Sequence, residues 1–323
     1  MRVKAQRIHE TGGPDVFRFE DVELAAPGPG QALVRQTAIG VNFIDCYHRS
    51  GLYAVPLPAI VGSEGAGRVE AIGSGVTEVA AGDRVAYAGY SGAYAEARLI
   101  DASKLVKLPD TIDDKTAAAS MLKGMTAEYL LRRTYAVQSG DAILVHAAAG
   151  GVGQIACQWA KRLGAMVIGT VGSDAKVALA REAGCDHVLV TGRDDIAARA
   201  KALTGGAGVR VVYDGVGKDT FAASLDALAP RGMLVSFGQS SGSLPLFDVM
   251  TLSKKGGLYL TRPTLGHYTS TRAELLDCAA ALFDAIRSGV RVDARQSWPL
   301  AQAADAHRAL EARRTTGSSL LLP

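Results

Sequence analysis

The spacing of hydrophobic residues changes in character close to Asp141. Before this point, short runs of strand-forming residues are separated by turns rich in proline and glycine. After it, short apolar runs alternate with longer stretches of helical composition. Continuous apolar runs of this length are typical of strands covered on both faces of a parallel sheet. The pattern therefore predicts a β-rich first part and an α/β second part.

The first part contains segments with the length and composition of strands, at residues 3–9, 17–22, 31–39, 65–72, 84–88 and 93–99. Turns such as Gly12-Gly13-Pro14 separate them. Many short strands joined in this way predict a barrel-like domain. A helix is predicted over residues 116–135, where it bridges the two parts.

The second part contains predicted strands at residues 142–145, 166–171, 187–190, 209–213, 233–237 and 258–261. Predicted helices alternate with them, including those at 173–182, 194–203 and 219–228. This alternation predicts a doubly wound parallel sheet. Two more helices, at 272–288 and 301–313, precede a terminal strand at 320–322. We expect that strand to return to the sheet of the first part.

Length and composition narrow the class of protein. A chain of 323 residues is long enough for about two domains, and 48% hydrophobic with 21% charged residues is ordinary for a globular protein. A net charge of +3 without a basic cluster argues against nucleic acid as a partner. No apolar run approaches the ~20 residues of a membrane span, and no signal-peptide pattern begins the chain. The four cysteines are scattered, which favours free thiols in a cytoplasmic protein.

A loop of small residues follows the first strand of the second part, with the sequence Ala148-Ala149-Gly150-Gly151-Val152-Gly153. On the dinucleotide fingerprint G-x-G-x-x-G, alanine takes the first position and glycines the other two. Gly150 lets the backbone approach a pyrophosphate, and Gly153 lets the helix pack closely on the strand. We predict that Ala149, Gly150, Gly151 and Val152 bind the cofactor. The alternative is a glycine-rich turn in a domain that binds no nucleotide.

The next strand ends in a segment that bears on the choice of nicotinamide, Val171-Gly172-Ser173-Asp174-Ala175-Lys176. NAD sites usually carry an acidic residue here, against the ribose 2′-hydroxyl. Gly172 and Ser173 instead leave room for a phosphate, and Lys176 can bind one. A charge-assisted hydrogen bond contributes about 1.5–3 kcal/mol, whereas the opposing exposed charge of Asp174 counts for about 0.2–1 kcal/mol. NADPH is therefore predicted, although Lys176 could also be a solvated helix residue.

Further candidates lie at the carboxyl ends of the last two predicted strands, where ligands bind in open α/β sheets. They are Phe237, Gly238, Gln239, Leu260, Thr261 and Arg262. No Ser/His/Asp or Cys/His arrangement for nucleophilic catalysis is evident. His146 ends the first strand of the second part, and we interpret it as structural support for the glycine loop.

Several blocks of the sequence resemble one known family. They are the segments 38–45, 49–53, 81–85, 122–126, 146–153, 236–238, 261–263 and 317–321. Together they are similar to the zeta-crystallin-like NADPH:quinone oxidoreductases, a zinc-free branch of the medium-chain dehydrogenase/reductases. The resemblance runs nearly end to end. It implies an α/β fold in which a doubly wound six-stranded parallel Rossmann domain accompanies a GroES-like β-barrel catalytic domain.

The resemblance also implies domain limits and site residues. It implies a catalytic domain over 1–124, a dinucleotide-binding domain over 125–262 and a return to the catalytic domain over 263–323. It places the acceptor and the nicotinamide near Asn42, Tyr47 and Tyr53, and the cofactor near Asn42, Thr126, Tyr129, Thr191 and Arg313. The family commonly has tyrosine at the position of Thr191, so Arg193 is a possible substitute. Tyr47 and Tyr53 could instead be aromatic residues at a domain edge, and Arg314 could replace Arg313.

The donor types argue against a catalytic metal. Zinc relatives carry cysteine and histidine at the positions of Asn42 and Ser63. Neither residue here is a usual zinc ligand, and Asp45 with Glu64 supplies fewer than the usual three donors. We therefore predict no metal.

The resemblance implies hydride transfer from NADPH to a quinone, and a homodimer that pairs through the strand at 258–261. We expect the protein to be cytoplasmic. A quinone needs no metal because the product of hydride transfer is a stable phenolate, with a pKa of about 10 like that of tyrosine. The first alternative is an NADPH-dependent alkenal or enone reductase. The second is a crystallin-like protein that binds NADPH without turnover.

Overall fold

The computed structural model describes residues 1–323, which form two compact units. The first unit comprises Met1–Met125, Thr269–Arg287 and Val292–Pro323. The second comprises Thr126–Tyr268 and Ser288–Arg291. None of the helices combines the length and the apolar character needed to cross a bilayer.

The strands, in chain order, are β1 (Arg2–Ile8), β2 (Phe17–Glu23), β3 (Gln31–Val41), β4 (Ala59–Ile60), β5 (Glu64–Ile72), β6 (Arg84–Ala88), β7 (Ala97–Asp101), β8 (Val106–Lys107), β9 (Ala142–Val145), β10 (Met166–Val171), β11 (His187–Val190), β12 (Val209–Asp214), β13 (Leu228–Ser236), β14 (Tyr259–Thr261), β15 (Ala294–Pro299) and β16 (Ser318–Leu322). The helices are α1 (Phe43–Ser50), α2 (Asp114–Tyr129), α3 (Gly151–Arg162), α4 (Val177–Glu182), α5 (Ile196–Leu203), α6 (Phe221–Ala227), α7 (Met250–Lys254), α8 (Leu265–Tyr268), α9 (Arg272–Arg287) and α10 (Ala303–Glu311). Short 3₁₀ turns lie at Pro14–Val16, Ala102–Lys104, Asp174–Lys176 and Leu300–Gln302.

The second unit is built on a six-stranded sheet with the order β11-β10-β9-β12-β13-β14. All five pairings are parallel. Its apolar runs are buried, with Leu144, Ile168, Val212 and Leu234 fully covered in one hydrophobic cluster. Burial on both faces explains why these strands are continuous apolar runs rather than alternating patterns. The predicted doubly wound sheet is confirmed, with the strand order of a dinucleotide-binding fold.

The first unit contains a three-stranded sheet, β2-β1-β4, and a seven-stranded sheet. In the larger sheet the path is β15-β16-β3-β5-β6-β8, and β7 also pairs with β3. The terminal strand β16 lies antiparallel to β3, with Leu320 opposite Gly40. The predicted return of the chain end to the first sheet is therefore confirmed.

Several elements differ from the sequence-based prediction. The strand predicted at 93–99 begins only at Ala97, because the preceding residues form a bend in which Ala95 bridges to Ala5. Strand β15 was not predicted, since its residues are mostly exposed and lack an apolar run. The bridging helix ends at Tyr129 and continues as a π-helical turn, Leu130–Thr134. Helix α1 also escaped prediction, because its sequence FIDCYHRS is short and mixed in polarity.

Candidate active site

The predicted glycine loop connects β9 to α3 in the second unit. Gly150 is the residue that precedes the first turn of α3, and its amide donates to the Ala147 carbonyl at 2.8 Å. A Cβ on Gly153 would lie 2.3 Å from that same carbonyl oxygen, so a side chain there would force the backbone apart. The first amides of a helix have no acceptor within the helix, and they attract anions. The loop therefore has the geometry of a phosphate site.

A buried polar network around His146 supports the glycine loop. The His146 ring lies between the hydroxyls of Thr170 and Ser224, with both nitrogen–oxygen distances at 2.9 Å. Ser224 and Thr220 in turn donate to the Asp214 carboxylate. Burial lowers the pKa of His146, so the ring stays neutral. These contacts join β9, β10, β12 and α6, which agrees with a structural role for His146.

The tip of β10 carries the residues predicted to choose between nicotinamides. Gly172 and Ser173 are exposed, and Lys176 follows in the 3₁₀ turn. Arg193 forms an ion pair with Asp174 and a second one, at 3.2 Å, with Asp194. The Asp194 carboxylate also accepts the Val190 amide at 2.7 Å, which fixes the end of β11. Arg193 therefore offsets part of the negative charge of Asp174, which it shares with Asp194.

The remaining candidates of the second unit follow the carboxyl ends of β11, β13 and β14, at the same edge of the sheet. Thr191 is held by its amide on the Val171 carbonyl. A Cβ on Gly238 would lie 2.6 Å from the Gly215 carbonyl oxygen, so this turn needs glycine. Arg262 donates to the Ser236 carbonyl at 2.8 Å. The parallel sheet thus brings together Ala149, Gly150, Gly151, Val152, Gly172, Ser173, Lys176, Thr191, Phe237, Gly238, Gln239, Leu260, Thr261 and Arg262.

Two candidates from α2 are largely covered. Thr126 and Tyr129 are both buried, and the Tyr129 ring stacks on Tyr268 with centroids 4.5 Å apart and planes 9° apart. Stacking on Tyr268 is by itself a sufficient reason for an aromatic residue at position 129. The predicted cofactor contact of Tyr129 therefore stays a prediction.

In the first unit, Asn42 begins α1 and lies in a buried polar cluster. Its side-chain amide donates to Glu64 Oε1 at 2.8 Å, and Lys123 Nζ lies 2.5 Å from the same oxygen. Glu64 Oε2 accepts the Leu122 amide at 2.7 Å. One amide hydrogen of Asn42 is therefore already used inside the protein. The sequence did not predict this contact, and the predicted place of Asn42 near the acceptor and the cofactor stays a prediction.

A second set of buried contacts fixes the start of α1. The Asp45 carboxylate accepts the Asn42 amide at 2.8 Å, the Ser63 hydroxyl at 2.6 Å and the Tyr94 hydroxyl at 3.1 Å. Burial nevertheless raises the pKa of Asp45 to about 7, and these hydrogen bonds and the charge of Glu64 act on it more weakly.

The network continues from Tyr94 to α10. The Tyr94 hydroxyl lies 2.9 Å from His307 Nε2, and the other ring nitrogen faces the Arg49 guanidinium at 3.3 Å. Arginine only donates, so Nδ1 is the acceptor and Nε2 carries the hydrogen. Burial, with a smaller effect from Arg49, lowers the pKa of His307 to about 3. Arg49 also forms a bidentate pair with Glu311 at the end of α10.

Tyr47 and Tyr53, the other predicted catalytic residues, contact one another. Their rings meet edge to face with centroids 5.3 Å apart, and the Tyr53 amide donates to the Tyr47 carbonyl. Both are half-buried, so each presents part of its ring. Arg313 lies just after α10 with φ +57°, a left-handed conformation that is uncommon outside glycine.

Lys123 and the Tyr94–His307 pair were missed by the sequence reasoning. Lys123 had a signal in the sequence, because this single charged residue directly follows the largely apolar segment Ala117-Ala118-Ala119-Ser120-Met121-Leu122. Tyr94 and His307 are far apart in the sequence, and only the fold brings them together. No group of three or more His, Cys, Asp or Glu side chains is arranged to hold a metal ion.

Comparison with known proteins places the chain in a family. A family model described as zinc-binding dehydrogenase matches residues 151–281, and one described as alcohol dehydrogenase GroES-like domain matches residues 28–110. Quinone oxidoreductase of Pseudomonas aeruginosa is 54% identical over 97% of each chain. A 2-haloacrylate reductase of Burkholderia is 47% identical over 99% of each chain.

A solved structure gives the same result at the level of the fold. The crystal structure of Escherichia coli quinone oxidoreductase complexed with NADPH matches with a TM-score of 0.97 and 49% identity, covering 99% of this chain and 100% of that one. The Rossmann and GroES-like architecture implied by the sequence is thereby confirmed. On this similarity across its whole length, the chain belongs to the quinone oxidoreductases of the medium-chain dehydrogenase/reductase superfamily.

Proposed function

We propose that this protein is an NADPH-dependent quinone reductase. The observation that carries the proposal is the tip of β10, where the exposed Gly172 and Ser173 are followed by Lys176 and the single acidic residue, Asp174, is paired with Arg193. Similarity to a quinone oxidoreductase solved with NADPH supports the same cofactor and the same acceptor class.

The glycine loop and the start of α3 would hold the pyrophosphate through backbone amides. Ser173, Lys176 and Thr191 are the proposed contacts of the adenosine 2′-phosphate, with Arg313 as a further cationic contact. The ion pair of Arg193 with Asp174 reduces the repulsion of that phosphate by the Asp174 carboxylate. Phe237, Gly238, Gln239, Leu260, Thr261 and Arg262 are proposed to line the rest of the dinucleotide, and Thr126 and Tyr129 its nicotinamide half.

NADPH supplies a hydride to the acceptor when bound. Asn42, Tyr47 and Tyr53 are proposed to orient the acceptor and exclude water, because holding the reactants in attack geometry provides much of the rate in such a transfer. We propose that no zinc takes part, since Asn42 and Ser63 are poor zinc ligands and Glu64 is paired with Lys123.

The cofactor assignment is tested with Lys176→Ala. Loss of a charge-assisted hydrogen bond should weaken NADPH binding roughly 10- to 150-fold and leave NADH binding nearly unchanged. Titration of cofactor fluorescence measures both affinities. Lys201→Ala, an exposed lysine of α5, is the matched control and should change neither. Equal losses for NADPH and NADH would show that Lys176 does not contact the 2′-phosphate.

An enone or haloacrylate reductase is the second candidate, favoured by the 2-haloacrylate reductase relative. Hydride delivery to an activated C=C bond uses the same geometry. A panel of acceptors at saturating NADPH separates the two, and quinones should give the higher kcat/KM. Tight NADPH binding without oxidation by any acceptor would instead favour the crystallin-like alternative.

We also propose a cytoplasmic homodimer that pairs through β14. This strand is at the edge of the sheet, and Tyr259 on it is 57% exposed. Open strand edges pair readily with another chain. Light scattering should give a dimer for the wild type and a monomer for Tyr259→Asp. The cytoplasmic location is supported by the four free cysteines, Cys46, Cys157, Cys185 and Cys278.

A further inference from the structure

The buried ion pair between Glu64 and Lys123 lies beside Asn42 in the first unit. The two side chains are 0% and 7% exposed, and Lys123 Nζ lies 2.5 Å from Glu64 Oε1. The side-chain amide of Asn42 donates to that same oxygen. The ammonium group and the Asn42 amide are therefore close neighbours on one carboxylate oxygen.

Stability alone does not explain the pair. Buried ion pairs are often no more stabilising than well-packed apolar residues of the same volume, because both charges lose their hydration. The fold nevertheless makes room for this one. A Cβ on Gly40 would lie 2.2 Å from Glu64 Oε1, so the neighbouring strand carries glycine where the carboxylate sits.

Lys123 retains capacity to donate. An ammonium group has three N–H donors, and the one hydrogen bond of Lys123 within the protein goes to Glu64. The Glu64 carboxylate is also held by the Leu122 amide and by Asn42. Glu64 therefore fixes the position of the ammonium group, and two of its N–H bonds are left for a ligand.

We propose that Lys123 is a catalytic residue that donates a hydrogen bond to the acceptor oxygen on which hydride transfer leaves negative charge. This inference rests on the proposed function, which places the acceptor at Asn42. In the step, the C4–H bond of the nicotinamide breaks and its electron pair and proton form a new bond to the quinone. One quinone oxygen becomes a phenolate, and the nicotinamide ring becomes a cation.

Lys123 keeps its proton in this step, and water provides the proton that completes the hydroquinone. Its contribution is electrostatic, because a fixed cation in a nearly dry site stabilises developing charge far better than water does. Asn42 is less suited to this task, since one of its amide hydrogens is already bonded to Glu64.

The test asks whether the positive charge of Lys123 contributes to hydride transfer or only balances the negative charge of Glu64. Lys123→Met should slow single-turnover NADPH oxidation by 1,4-benzoquinone on the order of 10²- to 10³-fold, the usual effect of removing one such donor. The double variant Lys123→Met with Glu64→Gln removes both charges and should be equally slow. Lys123→Arg keeps the charge and should be faster than Lys123→Met. NADPH affinity, measured by fluorescence, should change little in all three.

Recovery of the wild-type rate in the double variant would overturn the proposal, because it would show that Lys123 serves only to neutralise Glu64. A rate for Lys123→Arg as low as that for Lys123→Met, with NADPH binding intact, would also overturn it. These outcomes require an active wild type. A wild type that binds NADPH but reduces neither quinones nor enones would instead refute the proposed function.

Discussion

The two units support their site residues with different kinds of buried polar network. In the second unit, one carboxylate, Asp214, is surrounded by donors, accepting from the amides of Val216 and Gly217 and from two hydroxyls. In the first unit, several buried ionisable groups lie in one network. They are Asp45, Glu64, Lys123 and Arg49, with the neutral His307 among them.

The difference follows from what each site has to do. A phosphate can be bound by backbone amides at a helix start, so the second unit needs only small residues and a rigid support, which the hydrogen-bonded Asp214 provides. A group that receives negative charge needs fixed cations or donors nearby, and these must come from side chains. Under the proposed function, the acceptor that receives this charge lies at Asn42, in the unit where the buried charges are concentrated.

The largest effect that would sharpen this comparison concerns pH. The pKa of Asp45 is raised to about 7, so its contribution to stability is present at low pH and lost as the pH rises through that value. The pKa of His307 is lowered to about 3, so its contribution is present at higher pH and lost as the pH falls through that value. Between about pH 4 and 6.5 each changes the free energy of unfolding by about 3 kcal/mol, with opposite signs.

Asp45→Asn should therefore leave the His307 contribution unopposed. Relative to the wild type, the variant should gain about 3 kcal/mol of stability as the pH is raised over this range, and His307→Gln should lose about as much. Urea unfolding at several pH values measures both slopes. The lowered pKa of His146 also makes the free energy of unfolding rise with pH, as that of His307 does. This contribution is the same in the wild type and in both variants, so it does not affect the comparison. Parallel slopes in Asp45→Asn and wild type would break the comparison.

The next effect is expected in the glycine loop of the second unit. Gly153→Ala puts a Cβ against the Ala147 carbonyl, and overpacking against backbone should destabilise the protein by about 2 kcal/mol. NADPH affinity should fall more than about tenfold, because the loop must move away from α3. Gly266→Ala is the control, since a Cβ there meets no atom within 4 Å. An unchanged melting temperature and affinity in Gly153→Ala would show that close packing of α3 is not what shapes the loop.

The smallest effect concerns strain in the same loop. Ala147 has φ +52°, a left-handed conformation that disfavours an L-residue by about 1–2 kcal/mol. Ala147→Gly relieves this strain but increases the freedom of the unfolded chain, so we expect a net gain of about 0.5 kcal/mol. Chemical denaturation measures it, with Arg231→Gly, at φ +60° outside the loop, as a parallel case. Destabilisation by Ala147→Gly alone would indicate that the alanine side chain has a packing role.

The elements and site residues of the second unit were easier to predict from the sequence than those of the first, for a physical reason. The strands of the second unit are buried on both faces, so each is a plain apolar run, and their parallel order brings their carboxyl ends to one edge. The glycine loop, the tip of β10 and the turn after β13 could thus be placed together from sequence. In the first unit, α1 and β15 lack such patterns, and the contacts of Asn42 come from residues distant in the chain.

The sequence by itself determined the class of fold, the position of the phosphate loop, the return of the last strand and the family. These depend on local composition and on hydrophobic periodicity, which neighbouring residues carry together. Only the tertiary structure decided that Arg193 pairs with Asp174, that His307 meets Tyr94, and that Lys123 lies on Glu64 beside Asn42. Such contacts join side chains far apart in the chain, and their geometry is set by packing, which no local pattern encodes.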